Sequence, residues 1–404
     1  MPDLLPLTLS DRRPGRIRPS LDGLRRALAD LGDPQLAYPS VLIVGTNGKG
    51  STAVMLDAVL RGHGLRTGLT TSPHLVSVTE RIRVSGAAVG TTHLGRCLER
   101  LARFPDLTFF ETVTAAAFLV FAEAGVDVAV LEAGMGGSWD ATRAAGSAIA
   151  GITNVGTDHA SWLGEDPSAR ARDKGAALAA ADRAVLGPGL DPALVPELGA
   201  PQAIAAARFV ELTATGSGRV EAAWDDVRFQ LGRPLAGDHQ VANLHLALAL
   251  ARAVEAAGWS PRLEPERIVG ALRELRWPGR LSEHEIRGRC VLLDGAHNAD
   301  GARALAVHLA ARRRRRHLLF SCLADKDVEA MAAALEPVVA SVVICALDDD
   351  RAMGVDRMAA AFGAARVIPD PVAALDSLPD PVVAAGSLRL VGRLIEVERE
   401  GVVR

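Results

Sequence analysis

Between positions 45 and 51 the chain reads Gly45-Thr46-Asn47-Gly48-Lys49-Gly50-Ser51, directly after an aliphatic run at 41–44 and before a stretch of helical composition. A strand, a glycine turn and a helix start in that order aim several backbone N–H groups and the positive end of the helix dipole at one place, which is a phosphate cradle. Lys49 adds a point positive charge. The spacing departs from G-x-x-x-x-G-K-[ST], because two residues separate Gly45 from Gly48 and Gly50 stands between Lys49 and Ser51. These residues imply phosphate binding, with an ordinary glycine turn as the alternative, and leave the reaction open.

Four further constellations carry polar side chains where loops are expected. Thr71-Ser72-Pro73-His74-Leu75 continues to Glu80-Arg81-Ile82 and is turn-rich, a loop able to reach a nucleotide or simply a turn. Glu132 ends an apolar strand and opens the loop Gly134-Met135-Gly136-Gly137, at the edge where α/β proteins place ligands, and its carboxylate suits a hard cation such as Mg²⁺. Asp158-His159 follows the next strand, so both loops should open on one edge; His159 alone reads as a structural histidine, and its pairing with Glu132 favours a ligand role. Asp294-Gly295-Ala296-His297-Asn298 repeats the strand-to-helix pattern and can read ribose or phosphates, or merely cap a helix. Arg280 can reach a phosphate through charge-assisted hydrogen bonds.

These residues need a scaffold of alternating strands and helices. Short aliphatic runs at 41–44, 126–131, 148–153 and 184–186 alternate with helical stretches at 49–62, 112–124 and 167–181, the pattern of an α/β protein with a mainly parallel sheet. Positions 209–231 read as a β-hairpin turning at 216–218, followed by helices at 240–257 and 265–275. Arg276-Trp277-Pro278-Gly279-Arg280 breaks the pattern and is the expected linker. Beyond it, runs at 291–293, 317–321, 342–346, 366–368 and 382–385 predict a smaller doubly wound unit of about five strands. The expected division is a first domain at 1–275, a linker at 276–281 and a second domain at 282–404. The arginines at 312–316 read as a solvated helix end.

The 404 residues allow two or three domains, since single cores stop growing near ~250 to 300 residues. A composition 49% hydrophobic and 23% charged is ordinary for a globular protein, and a formal charge of −3 argues against nucleic acid as partner. Cys97, Cys290, Cys322 and Cys345 form no C-x-x-C pair and read as buried reduced thiols. The first twenty residues lack the apolar run of a signal peptide, and no stretch reaches the ~18 to 20 apolar residues of a membrane span. A cytoplasmic protein without a membrane partner is expected.

In chain order the motifs G-T-N-G-K-G-S at Gly45, S-P-H-L at Ser72, E-R-I at Glu80, F-E at Phe110, L-E-A-G-M-G-G-S-W-D-A-T at Leu131, I-T-N-V-G-T-D-H at Ile152, H-Q-x-x-N at His239, P-G-R at Pro278, D-G-A-H-N at Asp294 and D-K-D at Asp325 resemble the folylpolyglutamate synthase and dihydrofolate synthase family, a branch of the Mur ligases. The resemblance covers nearly the whole chain. It implies a P-loop ATPase domain of Mur-ligase type with a mainly parallel sheet, plus a smaller Rossmann-like C-terminal domain that handles glutamate.

The activity implied is ATP-dependent amide ligation through an acyl phosphate, joining L-glutamate to dihydropteroate and to the tail of reduced folates. A tail-extending enzyme alone, or a nucleotide-binding member without ligase activity, are the alternatives. By resemblance ATP is held by the loop from Gly45 to Ser51 with Asn243, Arg280, Asp294 and His297, and Mg²⁺ by Ser72, Glu132 and His159. Lys49, His159 and Lys174 are the implied catalytic residues, with Lys174 carried as a carbamate. The surroundings of Lys174 depart from the family's usual E-K-A-G-I, reading D-K-G-A-A. Ser72, His74, Thr108, Phe109, Phe110, Glu111, Trp139, Asp140 and Ala141 align with substrate-binding segments; the aromatic rings suit stacking on a pterin, or core packing. A monomer is expected.

Overall fold

The computed structural model describes residue 9 and residues 18–158, 164, 166–215 and 218–402. His159 and the Gly216-Ser217 part of the predicted turn lie outside the described residues, as does most of the N-terminal stretch.

Eight strands form the first sheet: β1 (Ser40–Val44), β2 (Thr67–Thr70), β3 (Ile82–Val84), β4 (Ala87–Ala88), β5 (Val128–Glu132), β6 (Ile149–Ile152), β7 (Arg183–Leu186) and β8 (Ile204–Ala205). Their spatial order is β4-β3-β2-β5-β1-β6-β7-β8, and all neighbours are parallel except the β2-β3-β4 edge. Along β1 the side chains alternate between two cores: Leu42 and Val44 face Phe118 and the helix Phe109–Ala124, whereas Val41 and Ile43 face the helices Lys49–Gly62 and His239–Ala256. Burial on both faces explains why these strands read as continuous aliphatic runs.

The predicted hairpin is a three-stranded meander, β9 (Glu211–Thr215), β10 (Arg219–Trp224) and β11 (Val227–Gly232). The second turn is made by Asp225-Asp226, with Asp225 in the left-handed region at φ 48°, a conformation Asp tolerates and hairpin turns need. Val220, Ala222, Trp224 and Leu231 of this meander join the second core.

After the irregular segment that includes Trp277 and Gly279, a second sheet orders as β12-β13-β17-β14-β15-β16, from β12 (Ser282–Ile286), β13 (Arg289–Leu293), β14 (His317–Phe320), β15 (Ser341–Ile344), β16 (Arg366–Val367) and β17 (Val382–Ala385). The expected five strands are six. The additional β12 is an antiparallel edge strand whose Ser-Glu-His-Glu-Ile, polar in its first four residues, carries no continuous apolar run. On its neighbour β13, Cys290 is exposed, contrary to the reading of four buried thiols; Cys97, Cys322 and Cys345 are buried. Cys290 faces outward on this edge pair, within 3.5 Å of Glu283 Oε2. The arginine run is likewise not wholly a solvated helix end: it follows the helix Ala299–Ala310, and Arg316 is buried, donating to Val382 O and Glu283. No helix among the described residues is long and apolar enough to cross a membrane.

Candidate active site

The parallel order β2-β5-β1-β6 sets the C-terminal ends of four strands side by side. The loop after β1 carries Gly45 to Gly48, the loop after β2 carries Ser72 and His74, Glu132 is the last residue of β5, and Asp158 follows β6. Facing them across a cleft of about 840 Å³ are Arg280, Asp294, His297, Lys326 and Arg389 from the second sheet's side.

The β1 loop is stitched to its β6 neighbour. Thr46 N–H donates to Asn154 O (3.1 Å), Asn47 N–H to Asn154 Oδ1 (3.0 Å), and Asn154 Nδ2 returns to Asn47 O (3.0 Å). Gly48 caps the helix Lys49–Gly62 at φ 85°, and a Cβ there would lie 2.2 Å from Asn243 Oδ1; only glycine meets both conditions. Asn243 is buried and held by Gln240 Oε1 at 2.9 Å. Lys49 Nζ turns back to the loop carbonyls of Gly45 (3.1 Å) and Thr46 (3.0 Å).

Glu132 is buried and accepts from Ser72 N–H at 2.9 Å. Burial raises its pKa, and Lys49, the Ser72 amide, Arg280 and Arg81 oppose that rise. His74 accepts from Arg81 Nε at 2.8 Å; burial first, then the charges of Arg81 and Arg389, hold its pKa down at about 3, so its ring is neutral at ordinary pH. The Arg81 guanidinium lies 5.3 Å from the Phe109 ring centroid, a cation–π contact.

On the other wall Asp294 accepts from the Leu281 and Ala296 amides, both at 2.9 Å, and burial raises its pKa against the pull of Arg280. Asp158 joins the two walls. Lys326 Nζ donates to its Oδ1 (2.7 Å), Asn298 Nδ2 reaches its Oδ2 (3.3 Å) and Asn47 Oδ1 (2.9 Å), and His297 Nε2 is 3.2 Å from Oδ2. His297 thus lines the cleft with its Nε2 beside a carboxylate.

Not every residue singled out in the sequence lines the cleft. Thr108 and Glu111 form a buried capping box that starts the helix Phe109–Ala124, Thr108 Oγ1 accepting from Glu111 N–H and Glu111 Oε2 from Thr108 N–H. Asp140 is buried and accepts from Met135 N–H (2.8 Å) and from the amide and hydroxyl of Thr142, which shapes the loop after β5. Trp139 and Ala141 lie in that loop, away from the cleft lining, whereas Phe109 and Phe110 line it. Lys174 is buried in the helix Pro167–Ala179 behind the Gly137 backbone, and burial together with Lys49 lowers its pKa to about 8. Among the described residues none accepts a hydrogen bond from its Nζ. Asp158 and Lys326 stood inside quoted motifs without a role. Arg81 did too, and Arg389 carried no sequence signal, being one arginine at a helix start. Asn298, read as a nucleotide contact or a helix cap, caps the helix Ala299–Ala310 by accepting from Gly301 N–H at 2.8 Å.

Among the described residues the one close group of metal-ligating type is His93, Cys97 and Glu123, away from the cleft. Both Glu123 oxygens are taken, by His93 (2.8 Å) and Arg100 (2.6 Å), which makes it an ion-pair tie between two helices.

Residues 43–165 match the Mur ligase middle domain and residues 279–391 the Mur ligase glutamate ligase domain. A dihydrofolate synthase/folylpolyglutamate synthase of Mycobacterium tuberculosis is 36% identical, over 92% of this chain and 83% of the relative. The structure of E. coli FolC in complex with DHPP and ADP superposes with a TM-score of 0.86 at 26% identity, covering 97% of this chain and 96% of that one. The bifunctional folylpolyglutamate synthase/dihydrofolate synthase of Yersinia pestis, complexed with AMPPNP and a Mn ion, gives 0.82 at 27% identity, covering 96% and 95%. With both Mur ligase domains matched and 36% identity over 92% of its length, the chain belongs to the dihydrofolate synthase/folylpolyglutamate synthase family of Mur ligases.

Proposed function

We propose that this protein is an ATP-dependent ligase that joins L-glutamate to dihydropteroate and to the tail of reduced folates. The observation that carries the reading is the meeting, on three adjacent parallel strand ends, of the Gly45 to Ser51 loop, Ser72 and Glu132, opposite Arg280 and Asp294.

The loop amides and the N-terminal end of the helix Lys49–Gly62 bind the β- and γ-phosphates, with Thr46, Asn47, Gly50 and Ser51 around them and Asn243 fixing the turn at Gly48. Lys49, released from its two loop carbonyls, neutralises the γ-phosphate as the substrate carboxylate approaches in line. Arg280, Asp294 and His297 contact the nucleotide from the second wall. The carboxylate oxygen attacks the γ-phosphorus and ADP leaves; the amine of glutamate then attacks the acyl carbon, loses a proton and expels phosphate. Arg81, Lys326 and Arg389 make the cleft attractive to the several carboxylates this reaction brings together. Phe109 and Phe110 offer flat apolar faces to the pterin, beside the neutral His74.

The hard oxygen donors Glu132 and Ser72, with His159, fit a divalent cation and would hold Mg²⁺. When bound it supplies charge neutralisation on the transferring phosphoryl group. Lys174 fits a carbamate, since its buried amine sheds its proton more readily than an ordinary lysine. We divide the chain into 1–275, 276–281 and 282–404, in a monomeric cytoplasmic enzyme; the irregular backbone around Trp277 supports that hinge.

Purified protein with ATP, Mg²⁺, dihydropteroate and labelled glutamate tests the reading: glutamate-dependent phosphate release is expected, and its absence with every pterin substrate would leave a nucleotide-binding protein without ligase activity. A tail-extending enzyme alone is favoured by one observation: Thr108, Glu111 and Asp140 spend their polar atoms on their own backbone rather than on the cleft. Turnover of reduced folates without turnover of dihydropteroate would establish that second reading.

A further inference from the structure

The helix Leu388–Val402 carries a glycine one turn into its length. Glycine is the poorest helix former after proline, so an interior glycine asks for a packing reason. At Gly392 the reason is backbone from the opposite wall: a Cβ there would lie 2.0 Å from Leu75 O and 2.8 Å from its carbonyl carbon. The glycine hydrogen that takes the place of the Cβ faces the carbonyl oxygen instead, a contact of the C–H···O type. The side chains beside this carbonyl cross the same boundary, since Leu75 and Val76 pack against the core that holds Val391, Leu394 and Ile395. Gly279 of the linker closes the third side, its Cβ position being 3.0 Å from Val391 Cγ1 and 3.8 Å from Leu75 Cδ1.

From its own side the loop is gripped at both ends. Ser72 N–H donates to Glu132, and the Glu80 carboxylate accepts from the amides of Leu75 (2.8 Å), Val76 (3.3 Å) and Ser77 (3.2 Å). Ser72 and His74 therefore stand between one anchor on β5 and another whose height is set by Gly392. Leu388, four residues earlier on the same helix face, lines the cleft itself.

We propose that Gly392 is a positioning residue: the second domain seats the Leu75 carbonyl on it and thereby sets where Ser72 and His74 stand in the cleft. Any side chain at 392 lifts the carbonyl and moves that loop, while the phosphate loop after β1, held through Asn154, stays in place.

The kinetic test rests on the proposed ligase reading. In Gly392→Ala, expected effects are at least a tenfold rise in KM for the pterin acceptor or a tenfold fall in kcat, with ATP affinity, measured without Mg²⁺, within about twofold of wild type. Thermal stability serves as the control, because alanine favours a helix and a merely structural role predicts unchanged kinetics in a folded variant. Glu80→Gln, which loosens the second anchor without touching the helix, is expected to give the same pattern and decides the matter if Gly392→Ala does not fold. Wild-type KM and kcat in the folded variant, or an equal loss of ATP affinity, would overturn the proposal. Should the wild type show no ligase turnover, amide hydrogen exchange at Leu75, Val76 and Ser77 in the full chain decides instead. Faster exchange in Gly392→Ala supports the seat and unchanged exchange refutes it.

Discussion

Carbon dioxide attaches only to a neutral amine, so the fraction of Lys174 that is unprotonated sets how readily it becomes a carbamate. Burial, aided by the Lys49 charge, moves its pKa from the ordinary 10.5 to about 8. At pH 7 roughly a tenth of such an amine is neutral, against about 0.03% of an ordinary lysine, an advantage on the order of 300-fold. A carbamate then replaces a cation that Lys49 repels with an anion that Lys49 attracts. The expected outcome is ¹³CO₂ incorporation at Lys174, read by ¹³C NMR of the intact protein, rising with pH through about 8 and absent in Lys174→Gln. Enzyme stripped of CO₂ should lose activity and regain it with bicarbonate, more fully at pH 8.5 than at pH 6.5. No carbamate signal at pH 9 in a CO₂-saturated, folded and active enzyme would refute the reasoning.

Lys49→Ala should keep the fold and lower kcat by at least about a hundredfold, since the charge facing the γ-phosphate is lost; a loss under threefold in steady-state turnover would contradict the assignment. Lys326→Met removes the ammonium 2.7 Å from the buried Asp158 carboxylate and should cost about 3 kcal/mol in urea unfolding, with Asp158→Asn in the same chain recovering part of it. His74, held at about 3 against 6.5 in the unfolded chain, takes up no proton in the native state until far below pH 6.5. Its contribution to stability is therefore complete above pH 6.5 and is lost as pH falls toward 3, and His74→Gln should flatten the acid limb of a pH series of denaturation midpoints. Thr108→Ala removes the capping oxygen at the start of the helix Phe109–Ala124 and should cost about 1 kcal/mol by the same measurement.

Much of the fold was legible because the central strands are buried on both faces, which writes them into the chain as unbroken aliphatic runs such as Val41 to Val44. The edge strand β12 is polar in four of its five residues, like a loop, and left no such trace. The phosphate loop could be read for a similar reason: its turn requires glycine, and a required residue type is visible without a structure. Lys326 and Asp158 show the limit. Each is an ordinary charged residue in its own segment, and only the packing of the two sheets makes them a buried pair. Thr108 and Glu111 fail in the opposite direction, since polar residues next to Phe109 and Phe110 look like substrate contacts until the capping box is seen to use their oxygens.

The way the cleft is divided along the chain has a consequence for biosynthesis. The first wall needs residues as far along as Asn243, whereas the second needs residues as late as Arg389. At roughly 5 to 20 residues per second a ribosome takes on the order of seven to thirty seconds to travel between them. During that interval the nascent chain carries an open half-cleft in which Glu132 and Asp158 face water. Newly made molecules therefore lack the contacts of the second wall until the helix Leu388–Val402 has been made and seats on the loop after β2.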